Sequence, residues 1–197
     1  MKFSLGLTGG IGVGKSTVLK IFEEFQFRVI NADNICRAIY EDEHSEIHLE
    51  IKEKWGNRFI TGNGKVNKKK VAKRIFSDNE SLEWLNSRLH PVILQRAKKL
   101  LDGYDGRSVF EVPLLFEAGW GKLFKKIIVV YTADDIRRKR LLQKGMTLEE
   151  INERINAQAP QDKKLEKADF ALINNGNIIS LKEQVSKLIT NETIEII

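Results

Sequence analysis

The sequence predicts an α/β protein built on a parallel sheet. Short apolar runs alternate along the chain with stretches whose apolar residues recur every three or four positions, the periods of strand and helix. The first run, the helix after it and a second run follow one another within about thirty residues, which implies a right-handed strand–helix–strand crossover. A later run, Ile127 to Tyr131, is apolar without interruption, as in a parallel strand covered on both faces.

Phe3, Leu5 and Leu7 mark the first strand, ahead of Gly9, Gly10, Gly12 and Gly14. Val18, Ile21, Phe22 and Phe25 then recur at helical spacing, which predicts a helix from Ser16 to about Phe25. Arg28 to Asn31 reads as a short second strand. Residues 34–104 hold helical signals and almost no strand. Ile47, Ile51 and Trp55 repeat every four residues between Ser45 and Gly56, and 59–66 reads as a turn or small hairpin. Asn67 is placed to cap a helix through Val71 and Ile75, and Leu82, Leu85 and Leu89 mark another. Pro91 suits the first position of a separate helix carrying Ile93, Ala97, Leu100 and Leu101 and ending at Gly103.

Ser108 to Val112 restores the strand pattern as the third strand, followed by the apolar turn PLLFEAGW, and Ile127 to Tyr131 is the fourth. Thr132 with Asp135 resembles a capping box opening a very basic helix. Thr147 with Glu150 opens a helix holding Arg154. Phe170 to Ile173 is the fifth strand, and Ser180 with Glu183 is expected to cap a last amphipathic helix.

The 197 residues suffice for one well-filled core with insertions. A hydrophobic fraction of 42% and a charged fraction of 30% are those of a soluble globular protein, with no apolar run of the ~20 residues a membrane span needs. The N-terminus reads as a core strand and not a signal peptide, and the lone Cys36 reads as a buried small apolar residue, so a reducing cytoplasmic setting is expected. A net charge of +6 suits polyanionic ligands, nucleotides or nucleic acid.

The chemistry begins in FSLGLTGGIGVGKST, residues 3–17, where Gly9, Gly14, Lys15 and Ser16 satisfy the phosphate-loop pattern G-x-x-x-x-G-K-[ST]. Backbone N–H groups from Gly10, Ile11, Gly12, Val13 and Gly14 through Lys15, Ser16 and Thr17 would form the anion cradle, aided by the helix dipole. Lys15 would neutralise β- and γ-phosphate charge and the Ser16 hydroxyl would ligate Mg²⁺.

Ligands of open parallel sheets bind beyond the carboxyl ends of the strands. There lie Thr8, Asn31 to Asp33, Pro113 to Glu117, Tyr131 to Asp135, and Asn174 with Asn175. Asp33 reads as a base or water-mediated metal partner, or else as a helix N-cap. Glu117 reads as a substrate contact or a structural ion pair, and His90 as a substrate contact or a helix cap. Arg137, Arg138, Lys139 and Arg140, with Lys144 and Arg154, are a solvated basic face from which one or two arginines could close over a phosphoryl group, Arg140 and Arg154 first.

With these segments in view the chain resembles the dephospho-coenzyme A kinase family over nearly its whole length. The resemblance runs through GLTGGIGVGKS (6–16), NAD (31–33), LHP (89–91), PLLFEAG (113–119), RINAQ (154–158) and ADFALINNG (168–176). It implies a P-loop kinase fold with a five-stranded parallel sheet flanked by helices, a helical substrate-binding insertion and a lid. The domains would be 1–33 with 105–135 and 166–197 as nucleotide-binding core, 34–104 as acceptor-binding insertion and 136–165 as lid. The reaction implied is transfer of the ATP γ-phosphate to the ribose 3′-hydroxyl of dephospho-coenzyme A, the last step toward coenzyme A. The resemblance makes Asp33 the base, Thr8, His90, Pro91 and Glu117 acceptor-side positions, Arg140 the lid arginine, and Asn174 and Asn175 the adenine's neighbours. It departs from the family at Asn31 and Arg37, where the family usually has Asp and often His, and at Lys144, where a lid arginine is common.

Two other readings use the same loop. A regulatory GTPase needs N-K-x-D, and Asn67-Lys68-Lys69-Lys70 ends in lysine. A nucleic-acid-binding ATPase would use the basic clusters, which lack aromatic interleaving. The expected partners are therefore small molecules, not nucleic acid or membrane, with a nucleoside monophosphate as the alternative acceptor and a monomer or weak homo-oligomer as the assembly.

Overall fold

The computed structural model describes residues 3–190; residues 1, 2 and 191–197, assigned by sequence to the nucleotide-binding core, lie outside the described residues. Five strands form one sheet in the order β2-β3-β1-β4-β5: β1 (Phe3–Thr8), β2 (Arg28–Asn31), β3 (Ser108–Glu111), β4 (Phe124–Tyr131) and β5 (Phe170–Ile173). The central strand β1 pairs in parallel with β3, Leu7 opposite Glu111, and with β4, Thr8 opposite Val129; β4 pairs in parallel with β5. The helices are α1 (Lys15–Glu24), α2 (Ala32–Glu41), α3 (Glu46–Trp55), α4 (Lys68–Ser77), α5 (Asn79–Lys99), α6 (Asp134–Gln143), α7 (Leu148–Asn156), α8 (Gln161–Leu165) and α9 (Ile178–Thr190).

The described residues fall into two compact units, those within Met1–Ile30 and Asp105–Ile197, and those of Asn31–Tyr104. In the first, β1 places Leu5 and Leu7 against Val18, Ile21 and Phe22 of α1, with Val109, Ile128, Val130 and Leu172 from the neighbouring strands and Leu181 and Val185 of α9. An aromatic group of Phe3, Phe110, Phe124 and Trp120 packs here too. Gly6 belongs to the same contact, since a Cβ there would lie 2.8 Å from the Phe124 ring.

The second unit is helical. Ser45 caps α3 by accepting the His48 N–H, and Asn67 caps α4 by accepting that of Lys70. Residues 59–66 close on a single antiparallel bridge between Ile60 and Val66. Trp55 anchors the unit, its ring centroid 4.9 Å from that of Trp84 and 5.2 Å from that of Phe59.

Four local expectations are corrected. Pro91 does not begin a helix but lies inside α5, which runs unbroken from Asn79 to Lys99. An interior proline forfeits one backbone hydrogen bond, at a cost of roughly 3 kcal/mol. Leu85, Leu89, Ile93 and Ala97 are all buried and fall on one stripe crossing Pro91, so packing outweighs that loss. Thr132 does not cap α6; Ala133 occupies the cap and makes no side-chain bond, while the Thr132 hydroxyl is used elsewhere. The last helix starts at Ile178, with Asn177 and not Ser180 accepting the first-turn N–H. Asp33 is not a helix cap: Asn31 caps α2 by accepting the Asn34 N–H at 2.8 Å. The box of Thr147 and Glu150 is present as expected.

Candidate active site

Residues 9–14 connect the carboxyl end of β1 to α1 as a tight loop in the first unit. Gly9, at φ 150°, passes so close to β4 that a Cβ would lie 2.5 Å from the Val130 carbonyl. Gly14, at φ 91°, leads directly into α1, and a Cβ there would strike the Asn174 side chain. Only glycine fits either position. The Lys15 ammonium folds back along the loop, donating to the Gly9 carbonyl at 3.0 Å and the Gly10 carbonyl at 3.1 Å. It also lies 4.0 Å from Glu111 Oε1 at the end of β3.

Beside the loop a cavity of about 350 Å³ is lined by Gly12, Gly14, Ser16, Thr17, Arg140, Gln143, Lys144, Asn174 and Ile178. Ser16 and Lys144 are exposed there. Arg140 is fixed by donating to the Asn174 carbonyl at 3.0 Å and to the Thr132 hydroxyl at 3.4 Å. Thr132, fully buried, is the hub of this wall, because its hydroxyl also lies 3.0 Å from the Val13 carbonyl and 3.2 Å from that of Asn174. Asn174 donates its side-chain amide to the Val13 carbonyl at 2.8 Å, and the Asn175 side chain accepts the Ala133 N–H at 2.8 Å. Both asparagines therefore brace the loop and the start of α6 through their side chains.

The turn after β3 is tied in twice. Thr8, fully buried, donates its hydroxyl to the Pro113 carbonyl at 3.1 Å. Glu117 Oε1 accepts the Ala159 N–H at 2.9 Å and lies 2.8 Å from the ammonium of Lys164, whose side chain is wholly buried. The Lys164 approach is off-angle for a full hydrogen bond, so the ammonium is held as an ion pair. Burial pushes the Glu117 carboxyl up, but Lys164 and the Ala159 N–H outweigh it and hold the group below the usual carboxylate range. Since the folded value is the lower one, this tie contributes its stability above about pH 4.5 and loses it as pH falls further. Glu117→Gln strands the buried ammonium, and is expected to lower Tm by several degrees, roughly 2–4 °C per kcal/mol for a chain of this size. Lys164→Met removes the charge along with its need for a partner, so its loss is smaller. Thermal melts of both variants between pH 3 and 8 check the order and the acid limb.

The basic residues of α6 and α7 separate. Arg137 is buried against Gly10 and pairs with Asp134 at 2.6 Å. Arg138 donates to Asn152 at 2.7 Å. Arg154 is exposed, without an ion pair among the described residues.

Asp33, His90 and Pro91 belong to the second unit. Asp33 lies in the first turn of α2 immediately after β2, exposed. Cys36, one turn on, is half-buried; burial first and then the Asp33 charge raise its thiol to about 11, so it stays protonated and is not a reactive thiolate. Burial lowers His90, keeping its ring neutral at pH 7, and Pro91 is exposed on α5.

Glu111 and Gln158 are the site residues that sequence reasoning missed, and Thr132, placed at a strand end, was given the wrong role. Glu111 carried a readable signal, a carboxylate ending an apolar strand and 5% exposed. Gln158 accepts the Ile11 N–H at 3.0 Å across 147 residues of chain, which no local pattern reveals. Among the described residues no cluster of three or more His, Cys, Asp or Glu could hold a metal on its own. Ser16 is exposed on the cavity, and Glu111 ends β3 beside the Lys15 ammonium.

A glycine loop fixed between the central strand and a helix N-terminus is an anion site made of backbone, and on this sheet it defines a P-loop kinase. Shikimate kinase from Acinetobacter baumannii, solved with shikimate, shares that fold at TM-score 0.55 and 15% identity, covering 99% of this chain and 97% of its own. The family model described as dephospho-CoA kinase matches residues 3–180. The dephospho-CoA kinase of Carboxydothermus hydrogenoformans is 36% identical over 186 residues, covering 92% of this chain and 90% of the relative. That of Campylobacter jejuni has a solved structure superposing at TM-score 0.69, with 28% identity and coverage of 98% and 97%. The chain belongs to the dephospho-CoA kinase family.

Proposed function

We propose that this protein transfers the γ-phosphate of ATP to the ribose 3′-hydroxyl of dephospho-coenzyme A, releasing ADP and coenzyme A. The observation that carries this reading is the complete phosphate loop opening on a basic cavity, in a chain matched by this family over residues 3–180.

In this reading Lys15 and the loop N–H groups hold the triphosphate, except the N–H of Ile11, which Gln158 takes and which therefore does not join the expected cradle. Arg140 and Lys144 add positive charge, and residues around Asn174 and Asn175 line the base. Ser16 and Glu111 would hold Mg²⁺, which supplies charge neutralisation at the phosphates when bound. A ribose hydroxyl is a weak nucleophile, so it has to be aligned with the γ-phosphorus and relieved of its proton. Asp33 accepts that proton as the new P–O bond forms; the bond from the γ-phosphorus to the bridging oxygen breaks, and ADP carries away the electron pair. Thr8, His90, Pro91 and Glu117 belong to the acceptor side on the family resemblance. For Thr8 and Glu117 that role is indirect, since the side chains brace the turn after β3. Residues 34–104 serve as the acceptor-binding insertion and 136–165 as the lid, with Arg137 and Arg154 among its basic residues. No described helix is long and apolar enough to cross a membrane. We propose a cytoplasmic setting, small-molecule substrates without nucleic acid, and a monomer or weak homo-oligomer.

A coupled ADP-release assay comparing dephospho-coenzyme A, AMP, adenosine and RNA tests the reading. Saturable release with dephospho-coenzyme A alone, the product phosphorylated at the 3′-oxygen, is the expected result. Faster turnover of AMP would make the protein a nucleoside monophosphate kinase.

A further inference from the structure

We propose that Gln158 is a positioning residue for phosphoryl transfer, holding the γ-phosphate end of the loop in register; this rests on the kinase reading above. The two ends of the loop are distinguishable in the structure. At one end Gly14, Ser16 and Thr17 face the cavity shared with Arg140 and Asn174. At the other, the Lys15 ammonium, which in such loops reaches the β- and γ-phosphates, lies on the Gly9 and Gly10 carbonyls. Gln158 is bound at that second end.

The Gln158 amide oxygen accepts the Ile11 N–H at 3.0 Å. A backbone N–H only donates, so this contact fixes which way the amide faces. The same oxygen lies 3.6 Å from where a Cβ on Gly10 would stand, and Arg137 Nη1 lies 3.0 Å from it. Gly10 has no positive φ, so the missing side chain there serves the close approach of these two groups. Arg137 is 6% exposed, with its Nε unpartnered and its Nη2 paired with Asp134 at 2.6 Å.

Gln158 is itself held. It follows the C-cap of α7 and precedes Ala159, whose N–H is taken by Glu117, and Gln161 makes a two-way bond with the Thr132 backbone, donating at 3.0 Å and accepting at 3.4 Å. The segment after α7 is thereby fastened to the turn after β3, to the end of β4 and to the loop. One loop N–H, that of Ile11, is committed to the scaffold. A phosphoryl transfer in which a 1 Å error costs up to about 10²-fold in rate is sensitive to such a tether. A group at the γ end affects the transferring phosphoryl more than the binding of ADP, which lacks it.

Gln158→Met keeps side-chain length and removes the acceptor; Gln158→Glu keeps an acceptor oxygen. The measurements are kcat and KM for ATP and acceptor, the dissociation constant for ADP, and solvent exchange of the Ile11 amide by ¹⁵N NMR. In Gln158→Met the Ile11 amide is expected to exchange faster and kcat to fall about tenfold to 10²-fold, with both KM values and ADP affinity within about threefold. Gln158→Glu is expected to keep the Ile11 amide protected. An unchanged kcat in Gln158→Met overturns the proposal, as does a loss of ADP affinity as large as the loss of kcat, which would make Gln158 a support for the whole loop. ADP affinity and amide exchange need no acceptor, so a different preferred acceptor would refute the substrate assignment and leave this test standing.

Discussion

Lys15→Ala is expected to abolish phosphoryl transfer, with kcat at least about 10³-fold below that of the unaltered protein. Removing one preorganised donor to developing negative charge typically costs about 10²–10³-fold, and Lys15 supplies a full positive charge as well. The ammonium is held against the Gly9 and Gly10 carbonyls and near Glu111, so it is fixed in direction before any nucleotide arrives. The stem lies at the start of α1, whose buried face is made by Val18, Leu19, Ile21 and Phe22, so the apolar packing of the helix does not depend on it. Circular dichroism should therefore be unchanged while ADP release disappears; near-normal turnover in the folded variant would remove the loop from the chemistry.

Asp33→Asn is expected to lower kcat by about 10²–10⁴-fold, the usual contribution of a positioned general base, while KM for ATP stays within about twofold. Asn31 bears the capping of α2, so replacing the Asp33 carboxylate by an isosteric amide leaves the helix start intact. The two effects separate cleanly: a catalytic loss without a stability loss supports the base, and an unchanged kcat excludes Asp33 from proton transfer. The same geometry accounts for the departure at Asn31. Asparagine and aspartate are near-equal N-caps, and here the side chain accepts the Asn34 N–H, a role that needs an oxygen and no charge.

The contrast between Asp33 and Glu117 shows what spacing can and cannot say. Both are carboxylates just beyond a strand end, and both read two ways in the sequence. Asp33 stands exposed in the first turn of α2, whereas Glu117 is bonded to Ala159 and faces a wholly buried Lys164. Lysine at position 164 gives no sign in the sequence that it lies inside, because the basic residues around it are on the surface.

The sequence by itself determined the parallel sheet, the loop and its lysine, and the helical stretch between the second and third strands. Each of these is written in local chemistry: apolar period, glycine where the backbone needs it, side-chain oxygens before helices. It also carried the family, through motifs spread over most of the chain. Only the tertiary structure decided that α5 crosses Pro91 unbroken, because a buried stripe formed by packing outweighs one missing hydrogen bond. The structure likewise decided that Thr132 and Asn174 brace the loop and that Gln158 grips Ile11. These contacts join residues 119 to 161 positions apart, and hydrogen bonds over such separations exist only once the sheet order has brought the segments together.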